Sequence, residues 1–298
     1  MNYKPYAGVY TALVTPFLDG KVDWESLGRL VEFQISSGVD GLVPVGTTGE
    51  SPTLDYDEHI DVIKFVVKHT QGRVPVIAGT GANSTAEAIM LTKKAETAGA
   101  DGFLHVAPYY NKPSQEGLFL HFSAIAAVTE KPITLYSVPA RCGIEIMPKT
   151  SARLADKFTN IVAVKEAGGN CDRVTEALAA SKGKLTILSG DDSLTIPFMS
   201  VGARGIISVA SNIAPKQVVA MTHAALAGDF AKAGAMHREL FALYKNLFIE
   251  ANPVPVKYAL FRAGIIKSVA PRLPLCAMQE SSRLLVEQTL EQLQLIQS

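Results

Sequence analysis

The chain has 298 residues, of which 48% are hydrophobic, and its 28 basic side chains balance its 28 acidic ones. This length predicts one large domain, or one domain with an appendage, and the charge balance argues against a nucleic-acid or membrane-surface partner. No apolar stretch reaches the ~18 residues that a spanning helix requires. The first residues carry no secretory signal pattern. The three cysteines, Cys142, Cys171 and Cys276, are odd in number and widely spaced, so they fit neither a disulfide framework nor a zinc site. We therefore expect a cytoplasmic protein.

Eight short apolar runs recur along the chain, and helical patterns lie between them. Such runs, rich in β-branched residues, are typical of buried parallel strands. They begin near Gly8, Gly41, Val74, Gly102, Ile133, Ile161, Leu185 and Gly205. The first helix candidates are Trp24–Ser36, Asp55–Thr70, Ser84–Ala98 and Glu116–Val128. This alternation predicts a (β/α)8 barrel. An open doubly wound sheet is the alternative, which the count of runs and the lack of a GxGxxG turn after the first run disfavour.

The rest of the chain predicts a helical appendage to the barrel. We expect the barrel to close with the helix after Pro215, so that residues 1–228 form a catalytic domain and residues 229–298 a helical one. The three helices predicted for the second part are Asp229–Phe248, Val254–Ala263 and Met278–Ile296. Earlier in the chain, Ser84-Thr85-Ala86-Glu87 has the pattern of a helix-capping box.

Lys165 is the residue with the strongest chemical signal. It ends the apolar run Ile161–Val164, where lysine is rare unless its charge is compensated. Loss of hydration lowers the pKa of an ammonium, and the resulting free amine can form a Schiff base with a carbonyl substrate. The alternative is a structural lysine that reaches solvent or pairs with Glu166.

Other polar side chains follow the predicted strands, at the barrel end where chemistry gathers. Gly46–Ser51 contains two glycines and two threonines, a composition that suits a backbone nest for a carboxylate, although an ordinary turn has the same composition. Arg141 follows a Pro turn and could hold a carboxylate through two hydrogen bonds. Asp191 and Asp192 lack the partners of a metal site, so we expect them to cap the next helix.

Four motifs together resemble the pyruvate-dependent, Schiff-base-forming aldolase family. They are GTTGES after the second run, PYYNKPSQEG after the fourth, Y-x-V-P-x-R-x-G after the fifth and VKE in the sixth. The resemblance extends to LSGDD, GIISVASN and NPVPVK, and so covers essentially the whole chain. Arg141 resembles the members that take aspartate semialdehyde, since the sugar-acid members generally lack it. Ser137 and Cys142 depart from the usual motif beside Arg141.

The resemblance implies a reaction and a set of site residues. Pyruvate would form an imine with Lys165 and then condense with aspartate semialdehyde to 4-hydroxy-tetrahydrodipicolinate, in lysine and diaminopimelate biosynthesis. Tyr136 would carry the proton, with Thr47 linking it to Tyr110 of a neighbouring subunit. The substrate-binding residues would be Thr48, Arg141, Ile207 and Gly190. The family uses neither metal nor organic cofactor, and its usual assembly is a homotetramer built as a dimer of dimers.

Two further expectations accompany the resemblance. Members of the family are often inhibited by lysine at a dimer interface, and the matching positions here are Ser51, Pro52, Tyr56, His59, Asn83, Glu87 and Tyr109. The alternatives in function are a related aldolase acting on a sugar acid such as 2-keto-3-deoxygluconate or N-acetylneuraminate, and a non-catalytic regulatory barrel. Arg141 argues against the first, and the presence of Lys165 and the relay hydroxyls argues against the second.

Overall fold

The computed structural model describes residues 6–296 and shows a closed barrel of parallel strands. Neighbouring strands pair in chain order, the first strand pairs with both the second and the eighth, and a parallel bridge between Leu42 and Val76 joins the second strand to the third. This pairing confirms the predicted (β/α)8 barrel and excludes the open sheet. The eight strands are Gly8–Ala12, Gly41–Val43, Ile77–Gly79, Gly102–Val106, Ile133–Ser137, Ile161–Glu166, Thr186–Ser189 and Gly205–Ser208.

Helices follow the strands and surround the barrel. Asp55 and Ser84 begin two of them by accepting hydrogen bonds from backbone N–H groups of the first turn, as capping residues do. The helices of the barrel are Trp24–Ser36, Tyr56–Thr70, Thr85–Thr97, Gln115–Ala126, Pro148–Lys157, Cys171–Ser181, Thr195–Ser200 and Pro215–Leu226, with one extra turn at Pro139–Cys142. The predicted helices therefore lie where they were expected, with ends that shift by one or two residues.

A short hairpin is the main departure from the predicted elements. The apolar run from Gly8 continues past Ala12, but the strand ends there, and two antiparallel pieces, Phe17–Leu18 and Lys21–Val22, follow it. Pro16 lies just before the hairpin and cannot donate to a strand ladder. The hairpin lies at the carboxyl end of the first strand, on the side of the barrel where site residues gather.

The C-terminal helices pack against the barrel and reach its second βα turn. They are Phe230–Asn246, Val254–Arg262 and Glu280–Gln292, close to the three predicted. Lys257 forms a fully buried ion pair with Glu50, and Arg272 forms a partly exposed one with Glu58. Residues after 228 thus hold the loop that follows the second strand.

The described part of the chain carries no sign of a membrane span or a metal centre. None of the helices within residues 6–296 combines the length and apolarity needed to cross a bilayer. The same residues contain no group of three His, Cys, Asp or Glu side chains placed to hold a metal ion.

Candidate active site

Lys165 lies at the carboxyl end of the sixth strand, directly beside Tyr136 of the fifth. The two residues are in register, so their side chains project on the same side of the sheet, and Nζ of Lys165 is 4.2 Å from the centre of the Tyr136 ring. Lys165 is only 6% exposed. Glu166, the next residue, instead lies close to Arg173, with Oε2 and Nε 3.6 Å apart. The alternative in which Lys165 pairs with Glu166 is therefore wrong.

Burial makes the amine of Lys165 unusually easy to deprotonate. Burial lowers the pKa of this amine from 10.5 to about 7. The negative charge of Asp192 opposes the lowering, and the positive charge of Arg141 adds to it by a smaller amount. A free amine is thus available near neutral pH, which is the state that attacks a carbonyl carbon. These surroundings support Schiff-base chemistry at Lys165, which stays a prediction.

Asp192 is a buried carboxyl group, and the prediction that it caps the next helix is wrong. Asp191 does cap the following turn, accepting from the N–H of Ser193, but Asp192 turns inward. It accepts from the Ser208 hydroxyl at 2.5 Å and from the N–H groups of Val209 and Ala210 at 3.0 and 3.1 Å. Burial raises its pKa to about 6. An Asp that follows a strand has the same local sequence whether its side chain caps a helix or bonds to residues at the end of the neighbouring strand, so only the fold distinguishes the two.

Tyr136 is buried, and its hydroxyl is hydrogen-bonded to Thr47. Burial raises the pKa of Tyr136 to about 12, although Arg141 and the bond from Thr47 oppose this rise. The phenol is therefore protonated at neutral pH and can donate a proton before it accepts one. The predicted contact between Thr47 and Tyr136 is present within a single chain.

The turn after the second strand has the form expected of a small anion-binding loop. Its own backbone bonds use the N–H groups of Gly49, Glu50 and Ser51, which leaves those of Thr47 and Thr48 outside these bonds. Successive free N–H groups in a tight turn form a concave site for an anion. Thr48 is 3% exposed, and its hydroxyl accepts a hydrogen bond from Asn252.

A cavity opens at this end of the barrel and brings several predicted residues together. Thr47, Tyr136 and Arg141 line it, and so does Cys142, whose thiol pKa burial raises to about 11. Ser137 does not line the cavity; its hydroxyl accepts from the N–H of Ile146 and so ties the fifth strand to the segment after Arg141. The remaining walls are Val45, Gly46, Ser51, Pro52, Gly79, Gly81, Leu104, Val106, Tyr109 and Val138.

Gly190 directly follows the seventh strand, and Ile207 lies on the eighth. A Cβ at Gly190 would come within 2.8 Å of the Ala167 Cβ and 3.1 Å of two side-chain carbons of Lys165, so a larger residue here would force these groups to shift. Ile207 follows Ile206, which pairs with Ser189 of the seventh strand, while Lys165 pairs with Leu188 of the same strand. Both residues are therefore at the barrel end that carries Lys165.

Tyr110 stands apart from the other predicted catalytic residues in this chain. It is 90% exposed, with a left-handed backbone (φ 71°), and does not line the cavity that holds Thr47 and Tyr136. Within its own chain, Tyr110 therefore lies outside the cavity that Thr47 and Tyr136 line.

A second cavity adjoins the first and gathers most of the predicted lysine-binding positions. Ser51, Pro52 and Tyr109 line both cavities. Tyr56, His59 and Glu87 complete the predicted part of the second, and Leu54, Asp55, Gly81 and Leu91 also line it. Asn83 does not line this cavity, but its Nδ2 donates to the carbonyl of Tyr109 at 3.2 Å.

The polar groups of the second cavity could accept ammonium protons. Among the described residues, the Glu87 carboxylate makes no hydrogen bond; only its backbone N–H takes part in the helix cap, donating to Ser84 Oγ. It raises the pKa of Tyr109 together with burial, the larger cause. His59 Nε2 lies 2.8 Å from the carbonyl of Gly79, which fits a donor at this nitrogen and leaves Nδ1 as acceptor. Burial also lowers the pKa of His59, so its ring is neutral.

A (β/α)8 barrel with a buried amine of lowered pKa and an adjacent tyrosine defines the class of Schiff-base-forming barrel enzymes. The model of the dihydrodipicolinate synthetase family matches residues 5–293, and the chain belongs to that family. It is 51% identical over 291 residues to a 4-hydroxy-tetrahydrodipicolinate synthase of Geobacter sulfurreducens, covering 98% of this chain and 100% of the relative.

Solved structures of the same family superpose closely. The 4-hydroxy-tetrahydrodipicolinate synthase of Methylacidiphilum fumariolicum SolV matches with a TM-score of 0.95 and 51% identity, over 97% of this chain and 96% of that one. A lysine-bound dihydrodipicolinate synthase of Cyanidioschyzon merolae matches with a TM-score of 0.94 and 40% identity, over 97% and 99%.

Proposed function

We propose that the chain is a lyase that condenses pyruvate with L-aspartate 4-semialdehyde to 4-hydroxy-tetrahydrodipicolinate, the first committed step of lysine and diaminopimelate biosynthesis. The observation that carries the proposal is the buried Lys165, with its pKa lowered to about 7, in register with Tyr136. The identity to synthases of this name over nearly the whole chain favours this reaction over a sugar-acid aldolase.

The reaction begins with imine formation at Lys165. The free amine attacks the keto carbon of pyruvate, and loss of water from the carbinolamine leaves a protonated imine. Tyr136 supplies and removes protons in these steps, and Thr47, hydrogen-bonded to it, passes them on. Thr48 and the N–H groups of its turn hold the pyruvate carboxylate, while Gly190 and the Ile207 carbonyl border the imine. No metal or organic cofactor takes part, because the protonated imine is itself the electron sink.

Loss of a methyl proton then converts the imine into an enamine. Its terminal carbon attacks the aldehyde carbon of aspartate semialdehyde, and the aldehyde oxygen takes up a proton to become the hydroxyl group. The amine of the semialdehyde displaces Lys165 from the imine carbon, which closes the ring and frees the enzyme. Arg141, on the cavity wall, holds the carboxylate of the incoming aldehyde through its guanidinium fork.

Borohydride reduction in the presence of pyruvate tests the chemistry directly. It should fix a pyruvate adduct on Lys165 that peptide mass spectrometry locates. Lys257, equally buried but bound to Glu50, serves as an internal control and should stay unmodified. Lys165→Arg should trap nothing, because arginine offers no free amine. An unmodified Lys165 in the parent protein would refute the proposal.

We also propose that L-lysine inhibits the enzyme at the second cavity. The Glu87 carboxylate and neutral His59 can accept from its ammonium groups, and Tyr109 joins this cavity to the active site. The lysine-bound relative supports the choice of ligand. We expect partial inhibition in steady-state assays that Glu87→Ala weakens. A parent enzyme unaffected by millimolar lysine would remove this claim and leave the catalytic one standing.

The assembly proposed for the enzyme is a cytoplasmic homotetramer built as a dimer of dimers, with residues 1–228 as its catalytic part and residues 229–298 as a helical part. The exposed Tyr110 supports an assembly in which one subunit completes the site of another. Analytical ultracentrifugation at assay concentrations should show the tetramer, and a monomer that is fully active would contradict it.

A further inference from the structure

Asn252 precedes the helix Val254–Arg262 and reaches from the C-terminal helical part into the proposed pyruvate site. Its Nδ2 lies 3.0 Å from Oγ1 of Thr48, although the two residues are 204 positions apart in the chain. Both side chains are buried, with 6% and 3% exposure. The bond therefore lies inside the protein, where solvent does not compete for its atoms.

The direction of this bond decides what the Thr48 hydroxyl can do. A hydroxyl group has a single proton and two lone pairs, whereas the amide nitrogen of asparagine only donates. Thr48 thus accepts from Asn252, and within the described residues its own proton is donated to no other protein group. The proton remains available for an anion held by the turn. An amide turned the other way would take that proton and leave a lone pair facing the anion.

The other end of the Asn252 amide indicates that this residue is not present for stability alone. Its Oδ1 is buried and has no hydrogen-bond partner among the described residues. An unsatisfied buried acceptor destabilises the folded state, so an apolar residue of similar size would serve a purely structural role better.

The C-terminal part also contacts the turn at Glu50, two residues after Thr48. Glu50 accepts from Lys257 Nζ at 2.6 Å and from the N–H of Arg272 at 2.9 Å. The turn is therefore fixed at Glu50 while Asn252 acts on Thr48. Removing the Asn252 amide leaves the Glu50 contacts in place, which separates the effect on the hydroxyl from a collapse of the loop.

We propose that Asn252 is a positioning residue that aims the only hydroxyl proton of Thr48 at the carboxylate of pyruvate. The inference rests on the proposed function, in which Thr48 binds that carboxylate. This role would make the C-terminal part contribute to substrate binding, because a side chain beyond residue 228 would set the direction in which the Thr48 hydroxyl donates its proton.

The test compares the pyruvate dependence of imine trapping and of turnover in Asn252 variants. Asn252→Ala should raise the half-saturating pyruvate concentration about three- to ten-fold, the range that one neutral hydrogen bond supports. The KM for aspartate semialdehyde should change little, because Arg141 and not Thr48 holds that substrate. Asn252→Asp keeps the size but can only accept, so it should raise the pyruvate requirement further.

Two comparisons separate positioning from a structural effect. In a Thr48→Val background, which lacks the hydroxyl, Asn252→Ala should add almost nothing to the pyruvate requirement. Asn246→Ala removes a bond of the same kind, from Nδ2 to Thr289 Oγ1 at 2.8 Å, within the C-terminal helices. This matched control should lower thermal stability without changing pyruvate binding.

The outcomes distinguish the inference from the function on which it rests. A parent protein that traps no pyruvate refutes the proposed function. A parent that saturates with pyruvate, together with an unchanged requirement in both Asn252 variants, overturns the positioning role alone. Full additivity of Asn252→Ala with Thr48→Val overturns it as well. Should Asn252→Ala fail to fold, the folded Asn252→Asp variant decides, since its pyruvate requirement must rise if the inference holds.

Discussion

Two buried lysines show how a single contact separates a reactive amine from a structural one. Burial lowers the pKa of both Lys165 and Lys257. Lys257 donates directly to the Glu50 carboxylate at 2.6 Å, and Glu50 opposes the lowering. Lys165 has no such bond within the described residues; Asp192 affects it only through its charge. The nearby carboxylate is occupied by Ser208, Val209 and Ala210, so the amine of Lys165 stays free to react.

The pH dependence of imine formation should follow the amine of Lys165. Because its pKa is lowered to about 7, the fraction of free amine rises as pH increases through 7 and then levels off. The initial rate of borohydride trapping at low pyruvate should follow this curve. Arg141→Ala should move the midpoint to higher pH, since Arg141 helps to lower this pKa. A rate still rising towards 10.5, the unperturbed value, would contradict the assignment.

Arg141 should discriminate between the two substrates. Arg141→Ala removes a charge-assisted contact worth about 1.5–3 kcal/mol, or roughly ten- to one-hundred-fold in kcat/KM. We expect the loss mainly with aspartate semialdehyde, while saturation of imine trapping by pyruvate at its pH optimum is largely kept. Steady-state kinetics with each substrate varied in turn measure the difference. Equal losses for both substrates would make Arg141 structural.

The link between the second βα turn and the helix Val254–Arg262 should carry much of the stability of this end of the barrel. Lys257 is fully buried, and Lys257→Met leaves the Glu50 carboxylate without its cation. Breaking a buried pair from one side costs about 3–5 kcal/mol. Equilibrium denaturation should show this loss in the free energy of unfolding. The double variant Glu50→Leu/Lys257→Met should recover part of it, and a stable single variant would contradict the prediction.

The sequence predicted the strands and helices well where the local residue pattern agrees with the fold. The eight strands could be read from apolar runs, and the helices from periodicity and caps such as Ser84. Lys165 could be predicted because it ends a buried strand and strand ends meet at one rim of a barrel, whereas the relay role of Thr47 was implied only by the resemblance to the aldolase family. The hairpin after Ala12 was missed, although Asp19-Gly20 between its two pieces is a common hairpin-turn pair and both residues have positive φ.

Contacts between distant parts of the chain were beyond sequence reasoning. Asp192 resembled a helix cap, and Lys257 lies in the predicted helix Val254–Ala263, where nothing in the local sequence marks it as the partner of Glu50. Asn252 stands 204 residues from its partner Thr48. Each of these residues acquires its role only when the barrel closes and the C-terminal helices pack on it, because no local spacing records which loop a side chain will meet.

At the scale of the whole molecule, one chain alone carries an incomplete form of the proposed relay. Thr47 and Tyr136 meet within the cavity, but Tyr110 is 90% exposed and does not line it. Tyr110 follows Tyr109, which lines the cavity, so a second subunit that covered this exposed side chain would lie beside the site. The proposed assembly would bring Tyr110 of one subunit to Thr47 of its neighbour. Each subunit would supply its own pyruvate site and its own aldehyde site, and only Tyr110 would come from the neighbour.

Mixed assemblies test this exchange. Lys165→Ala removes the nucleophile from its own site, and Tyr110→Phe removes the relay hydroxyl from the neighbour's site. In a hybrid dimer, the subunit with intact Lys165 receives an intact Tyr110 from its partner, so one site of the two is complete. Unfolding and refolding the two variants together in equal amounts should restore about a quarter of the parent activity per site, because half of the dimers are hybrids by chance. Each variant refolded alone provides the control. Activity of the mixture no higher than the sum of the two variants would place Tyr110 in its own subunit's site or outside the relay.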